Sequence, residues 1–245
     1  MAIWSDPPTT SVPNSRAARE AAFDAGLRSY MLSVYNYMIS GVLLTGIVAL
    51  LFSNGGVNSP AAHLFMAGGI LPFIVMLAPL GVVMWLSFGI NRISEGTAKA
   101  LFWAYAALMG VSLSTILLVY TGGSVAQAFF ATAASFAGLS LYGYTTNRSL
   151  SGLGTFLIMG VVGLIVAMLI NMFLHSTGLD LAISGIGVLL FAGLTAYDTQ
   201  RIKSGYFAYG GTAVAGKTAI MGALQLYLDF INLFLFLLRF MGNRR

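Results

Sequence analysis

Apolar residues fall into seven long blocks along this chain, separated by short polar stretches. The blocks are Tyr30–Phe52, His63–Phe88, Ala100–Tyr120, Ser124–Thr145, Leu153–Leu174, Leu181–Arg201 and Thr218–Met241. A bilayer core of about 30 Å is crossed by a helix of about 20 apolar residues, so each block has span length. Helix is the form expected of each, because a lone strand would leave backbone groups unpaired in lipid. Turn chemistry marks the breaks at Asn54-Gly55-Gly56, Ser94-Glu95-Gly96, Gly122-Gly123, Asn147-Arg148-Ser149 and Ser176-Thr177-Gly178. Pro72 and Pro79 predict a kink within the second block. The fourth block is rich in small residues (Ala133, Ala134, Ser135, Ala137, Gly138, Ser140). Such residues let helix backbones approach closely, which predicts a place inside the bundle.

The pattern defines an all-α polytopic membrane protein, a seven-transmembrane-helix bundle occupying residues 30–241. Residues 1–29 read as a polar, disordered cytoplasmic tail ending in a short interfacial helix rather than as a secretory signal. Residues 242–245 form a short basic C-terminal tail. Composition agrees: 58% of the 245 residues are hydrophobic and 8% charged, against about 25% charged in soluble domains. The absence of cysteine excludes disulfides and thiol catalysis. The net charge of +5 comes without a basic run of the kind that binds nucleic acid.

The basic residues instead specify topology. Arg16, Arg19 and Arg28 precede the first block; Arg92 and Lys99, Arg148, then Arg201, Lys203 and Lys217 lie at the second, fourth and sixth loops. The first, third and fifth loops carry no Lys or Arg. By the positive-inside rule the N-terminus is cytoplasmic, and Asp198 lies near the cytoplasmic surface. Arg239, Arg244 and Arg245 run against that rule if the last block crosses fully. Two arrangements follow: seven crossings, which we prefer, or six crossings with a re-entrant last segment.

Candidate chemistry centres on two acids. Asp229 stands inside the last apolar block, and Asp198 near the end of the block before it. A charge at the centre of a span costs about 2.5–3.5 kcal/mol or more, so an acid there calls for a partner or a function. If the two meet, close carboxylates cannot both ionise easily and share a proton, making a pH sensor or, when both ionise, a cation site. Hard cations such as Ca²⁺ suit carboxylate oxygens. His63 and His175 lie at span ends and read as interfacial. Gln225, Asp229 and Asn232 recur at i, i+4 and i+7, with Arg239 further along the same stripe. Asn36, Ser40, Ser112, Thr115 and Asn171 read as packing residues, and Trp85, Trp103 and the tyrosines near span ends as interfacial belts.

The runs Ala196-Tyr197-Asp198-Thr199-Gln200-Arg201-Ile202-Lys203 and Leu226-Tyr227-Leu228-Asp229-Phe230-Ile231-Asn232-Leu233-Phe234 resemble the paired motifs of the Bax inhibitor-1 family. The resemblance extends over the whole membrane region. It implies a seven-helix fold with a central last helix, in the bacterial inner membrane if the chain is prokaryotic, and a pH-sensitive Ca²⁺ leak, in which Asp198 and Asp229 sense protons and transiently hold the permeant ion. Tyr197, Arg201 and Tyr227 are motif neighbours of the pair. The resemblance also implies a basic latch at the end of the second helix, for which Arg92 is the nearest position. No cofactor is implied, and the expected partners are membrane lipid and calcium, with the protein a monomer.

Two enzyme-like or ligand-binding readings fit poorly. An intramembrane aspartyl protease also uses Asp on consecutive helices, but carries Gly-x-Gly-Asp and Pro-Ala-Leu motifs that this chain lacks. A retinal protein needs a Lys in mid-helix, and Lys217 is at the edge of the last block. The chain is therefore read as a non-enzyme. The rival class is a non-channel protein that binds and modulates a membrane-anchored quality-control protease, with residues 1–29 as its handle.

Overall fold

A computed structural model describes residues 16–66, 68–212 and 214–245, with side chains from Glu20 onward. Residues 1–15, including Trp4 and most of the stretch read as a disordered tail, lie outside the described residues. The elements in order are α1 (Arg16–Ser53), a 3₁₀ turn (Gly56–Asn58), α2 (Pro60–Met66), α3 (Leu71–Gly89), α4 (Glu95–Val119), α5 (Gly122–Thr145), α6 (Ser151–Leu174), α7 (Thr177–Tyr209) and α8 (Ala215–Met241). Among the described residues, seven helices are long and apolar enough to cross a membrane. All but α2 qualify. Helix α1 continues unbroken from Arg16 through Tyr30, so the polar stretch 16–29 is the first four turns of the first long helix.

The second apolar block differs from the expectation of one kinked span. It is split into α2 and α3, and the break lies at Gly68 and Gly69, with φ of 72° and 81°. That left-handed backbone suits glycine, which has no Cβ to clash. Pro72 sits in the first turn of α3, where its missing N–H costs nothing, and Pro79 alone lies inside the helix. The starts of α4 and α7 carry side-chain caps: Ser94 accepts from the Thr97 N–H at 3.1 Å and Ser176 from the Leu179 N–H at 3.3 Å.

Helix α8 is the central element. It packs against α1, α4, α5 and α7, and 61% of its spanning window is buried, against 39% or less in every other span. At 27 residues it is unbroken and about 40 Å long at 1.5 Å per residue, enough to cross the bilayer without re-entry. Two hydroxyl bridges tie α1 to the interior. The Thr45 hydroxyl donates to the Ala106 carbonyl at 2.8 Å, while the Tyr227 hydroxyl donates to Thr45 Oγ1 at 2.7 Å, joining α1, α4 and α8. Tyr35, Ser140 and Thr199 form the second, joining α1, α5 and α7 at 2.6 and 3.0 Å.

The small residues of α5 do not place it inside the bundle. Ala134, Ser135, Ala137 and Gly138 are exposed; the buried face is Ser124, Ala128, Thr132, Phe136, Ser140 and Gly143. A Cβ at Gly143 would run into the backbone of Ala196, so α5 and α7 touch there nearly main chain to main chain. Away from that contact, the small side chains leave a groove beside α1 unfilled, lined by Ala133 and Ala137.

Candidate functional site: a buried carboxyl pair

Helical periodicity turns Asp198 of α7 and Asp229 of α8 toward the shared interface, and both are 4% exposed. Their carboxyl groups lie within hydrogen-bonding reach of one another, and Asp198 is also within reach of the Gln225 amide. Among the described residues, Asp198 Oδ1 and Asp229 Oδ2 have no hydrogen-bond partner. Two buried acids with one open oxygen each can hold a single proton between them, or offer both oxygens to a cation.

The remaining motif residues build the scaffold. Thr199 receives the hydroxyl bridge from Ser140. Gln200 ties down the turn between α5 and α6, donating to the Arg148 carbonyl at 2.9 Å and accepting from the Leu150 N–H at 2.8 Å. Tyr197 turns its ring toward Gly154 of α6, away from the pair. Tyr227 is fully buried, edge-on to Phe102 and Tyr105 at 6.0 and 5.6 Å between ring centres.

The polar stripe on α8 divides into three parts. Gln225 joins the pair. The Asn232 amide donates to the carbonyl of Leu228 on its own helix at 2.9 Å. Arg239 forms an ion pair with Asp180 in the first turn of α7. That carboxylate also sits favourably at a helix N-terminus, so the Arg239 charge is offset at the far end of the bundle. Nearby the C-terminal residues pair with the turn between α4 and α5: the Thr121 N–H donates to the Asn243 carbonyl at 3.1 Å and the Arg245 N–H to the Val119 carbonyl at 2.9 Å.

Arg92 is not brought to the pair. It is exposed in the turn after α3, and the basic group whose charge acts on Asp198 is Arg201, one turn along α7. Arg201 and Gln225 line a cavity of about 570 Å³ between α1, α3, α7 and α8, together with Tyr30, Ser87 and Thr218. The cavity begins near Tyr209 and Thr218, at the ends of α7 and α8, and reaches inward to Gln225 and Leu228. Sequence reasoning missed Tyr30 and Ser87, since neither stands out in an apolar block. The buried Tyr30 hydroxyl has no partner among the described residues, the kind of signal that emerges only in three dimensions.

On the other side of the pair the interface is apolar. Leu190, Phe191, Leu194, Leu233 and Phe236 are buried together, with the Phe191 and Phe236 rings stacked at 5.6 Å. The carboxyl pair thus lies between a partly polar cavity on the face carrying the α3–α4, α5–α6 and α7–α8 turns and an apolar seal toward the opposite face. His63 is exposed on α2, and His175 caps α6, so neither approaches the pair. Among the described residues no three His, Cys, Asp or Glu side chains cluster as metal ligands.

A multi-pass helical membrane protein with a buried Asp–Asp pair against its central helix is the class this geometry defines. Residues 27–245 match the family described as inhibitor of apoptosis-promoting Bax1, and the chain belongs to this family, the Bax inhibitor-1 family. It is 49% identical over 228 residues to an uncharacterised protein of Rickettsia prowazekii, covering 93% of this chain and 95% of that one. It is 45% identical over 243 residues to an uncharacterised protein of Caulobacter vibrioides, covering 96% of each. It is also 45% identical over 223 residues to the inner membrane protein YbhL of Escherichia coli, covering 90% of this chain and 94% of that one.

Proposed function

We propose that this protein is a pH-sensitive calcium leak of a bacterial inner membrane, gated by the protonation of Asp198 and Asp229. The observation that carries the reading is the contact between two buried acids with open oxygens, beside a polar cavity and ahead of an apolar seal. A purely structural polar contact in a membrane interior would be served by neutral amides or hydroxyls at lower cost. The inner-membrane placement is supported by the 45% identity to YbhL. The cytoplasmic placement of the N-terminus and of the cavity mouth is supported by Arg92, Arg148, Arg201, Lys203 and Lys217 on that face.

In the closed state the pair holds one proton, and the shared hydrogen bond draws α7 and α8 together. Loss of that proton places two negative charges in contact in a region of low dielectric, where repulsion is strong. The pair then separates, and the Phe191–Phe236 seal between the same two helices loosens. Calcium entering this path meets two carboxylates and the Gln225 carbonyl oxygen. A resident Ca²⁺ takes six to eight oxygens, so this smaller donor set suits an ion that binds briefly and moves on. Calcium entry into vesicles containing the purified protein, measured against empty vesicles, tests the proposal. Flux above background supports it, and flux equal to background rejects it.

A further inference from the structure

A second feature, on the other side of α8 from the polar cavity, is a long lateral groove between α1 and α5. Two adjoining cavities of about 680 and 390 Å³ share Val42, Phe129 and Phe230, so α8 supplies the floor and the two outer helices the walls. Among the described residues lining either cavity, Arg28 is the one that carries a charge. It stands at one end of the larger cavity, exposed and without an ion-pair partner among the described residues. Facing it across the groove is Tyr144, whose carbonyl accepts a 2.8 Å hydrogen bond from Lys203 Nζ. The same ammonium lies 5.1 Å from the Tyr144 ring centre. Two cations therefore flank the mouth of a groove that is otherwise apolar apart from Tyr35 and Ser140 in the larger cavity and Thr45 in the smaller.

The dimensions fit one leaflet. From Arg28 to Leu43 the larger cavity follows α1 for 15 residues, or about 22 Å at 1.5 Å per residue. Half of a bilayer with its headgroups is also about 20–22 Å. With Arg28 at headgroup depth, the groove would reach close to the midplane. An acyl chain fills such a slot, and a phosphodiester completes the Arg28 guanidinium by charge-assisted hydrogen bonds. We propose that this groove is a binding site for one anionic phospholipid, its phosphate on Arg28 and an acyl chain between α1 and α5. The small side chains of Ala133 and Ala137 are what keep the slot open. The site stands independently of any ion flux through the bundle.

The test is native mass spectrometry of the full chain in detergent, titrated separately with phosphatidylglycerol and phosphatidylcholine. The wild type is expected to retain one phosphatidylglycerol and to prefer it by about five-fold, the worth of one basic residue near an anionic lipid surface. Arg28→Gln should abolish that preference, whereas Arg148→Gln, which removes an exposed charge from the same face, should leave it intact. Ala137→Trp fills the groove from an exposed position and should lower retention of both lipids in a protein of unchanged helicity. Equal retention of the two lipids by the wild type would overturn the proposal. So would equal effects of Arg28→Gln and Arg148→Gln, or undiminished retention by Ala137→Trp.

Discussion

Asp198 and Asp229 lie within hydrogen-bonding reach of each other across the interface of α7 and α8, each 4% exposed and each with one oxygen unpartnered. A distance of 31 positions along the chain is closed by the α7–α8 turn, which returns the central helix alongside its predecessor. The consequences of that contact can be separated from those of the scaffold around it.

Gln225 connects the cavity to the pair, since it lines the one and reaches Asp198 of the other. Gln225→Leu keeps the side-chain volume close but removes an amide contact to a charged group, an interaction of about 1.5–3 kcal/mol. Calcium flux is expected to fall about ten-fold or more, and stability to fall by no more than the worth of that one contact. Wild-type flux in this variant would remove Gln225 from the path.

Arg201 and Arg92 should behave differently. Removing a cation beside a carboxyl pair disfavours its ionised form, so Arg201→Gln should move the pH midpoint of flux upward. Arg92→Gln, in the exposed turn after α3, should leave the midpoint unchanged. A shift confined to Arg92→Gln in flux titrations would restore it as the basic partner of the pair.

The chain has no cysteine, so single thiols can be introduced without background. Ser87→Cys lines the cavity and should react with a membrane-impermeant thiol reagent applied from the cytoplasmic side, and hardly at all from the other. Phe191→Cys, within the apolar seal, should react slowly from both sides at low pH. Fast labelling of Ser87→Cys from the outer face would invert the proposed orientation.

Gly143 is the point where α5 meets the backbone of Ala196, two residues before Asp198. Gly143→Leu forces those helices apart, and overpacking of this kind costs about 1–3 kcal/mol. Thermal unfolding in detergent should show the loss, which a change at exposed Gly138 should not. Equal stability of the two variants would contradict the close approach.

Much of this arrangement was legible in the residue pattern. Hydropathy identified seven spans, since backbone pairing in lipid leaves helix as the available form, and the cost of burying acids singled out Asp198 and Asp229. What escaped were relationships between helices. Periodicity shows which residues share a face but not what that face meets, so the Gln225–Asp229–Asn232–Arg239 stripe looked continuous although Asn232 bonds its own helix and Arg239 pairs with Asp180. Small residues in α5 signalled close approach, and Gly143 serves that end, while Ala133 and Ala137 line an open groove. The split of the second block at Gly68 and Gly69 depends on positive φ values, and the apolar residues on both sides masked it.

The most direct test of the carboxyl-pair account is calcium flux into proteoliposomes followed as a function of pH, since a coupled pair titrates as a unit. Wild type is to be compared with Asp198→Asn and Asp229→Asn, both expected to fold because an amide keeps the shape and a hydrogen bond. The account predicts a wild-type flux that rises with pH and a flat profile in each variant. Wild-type pH profiles in both variants would contradict it.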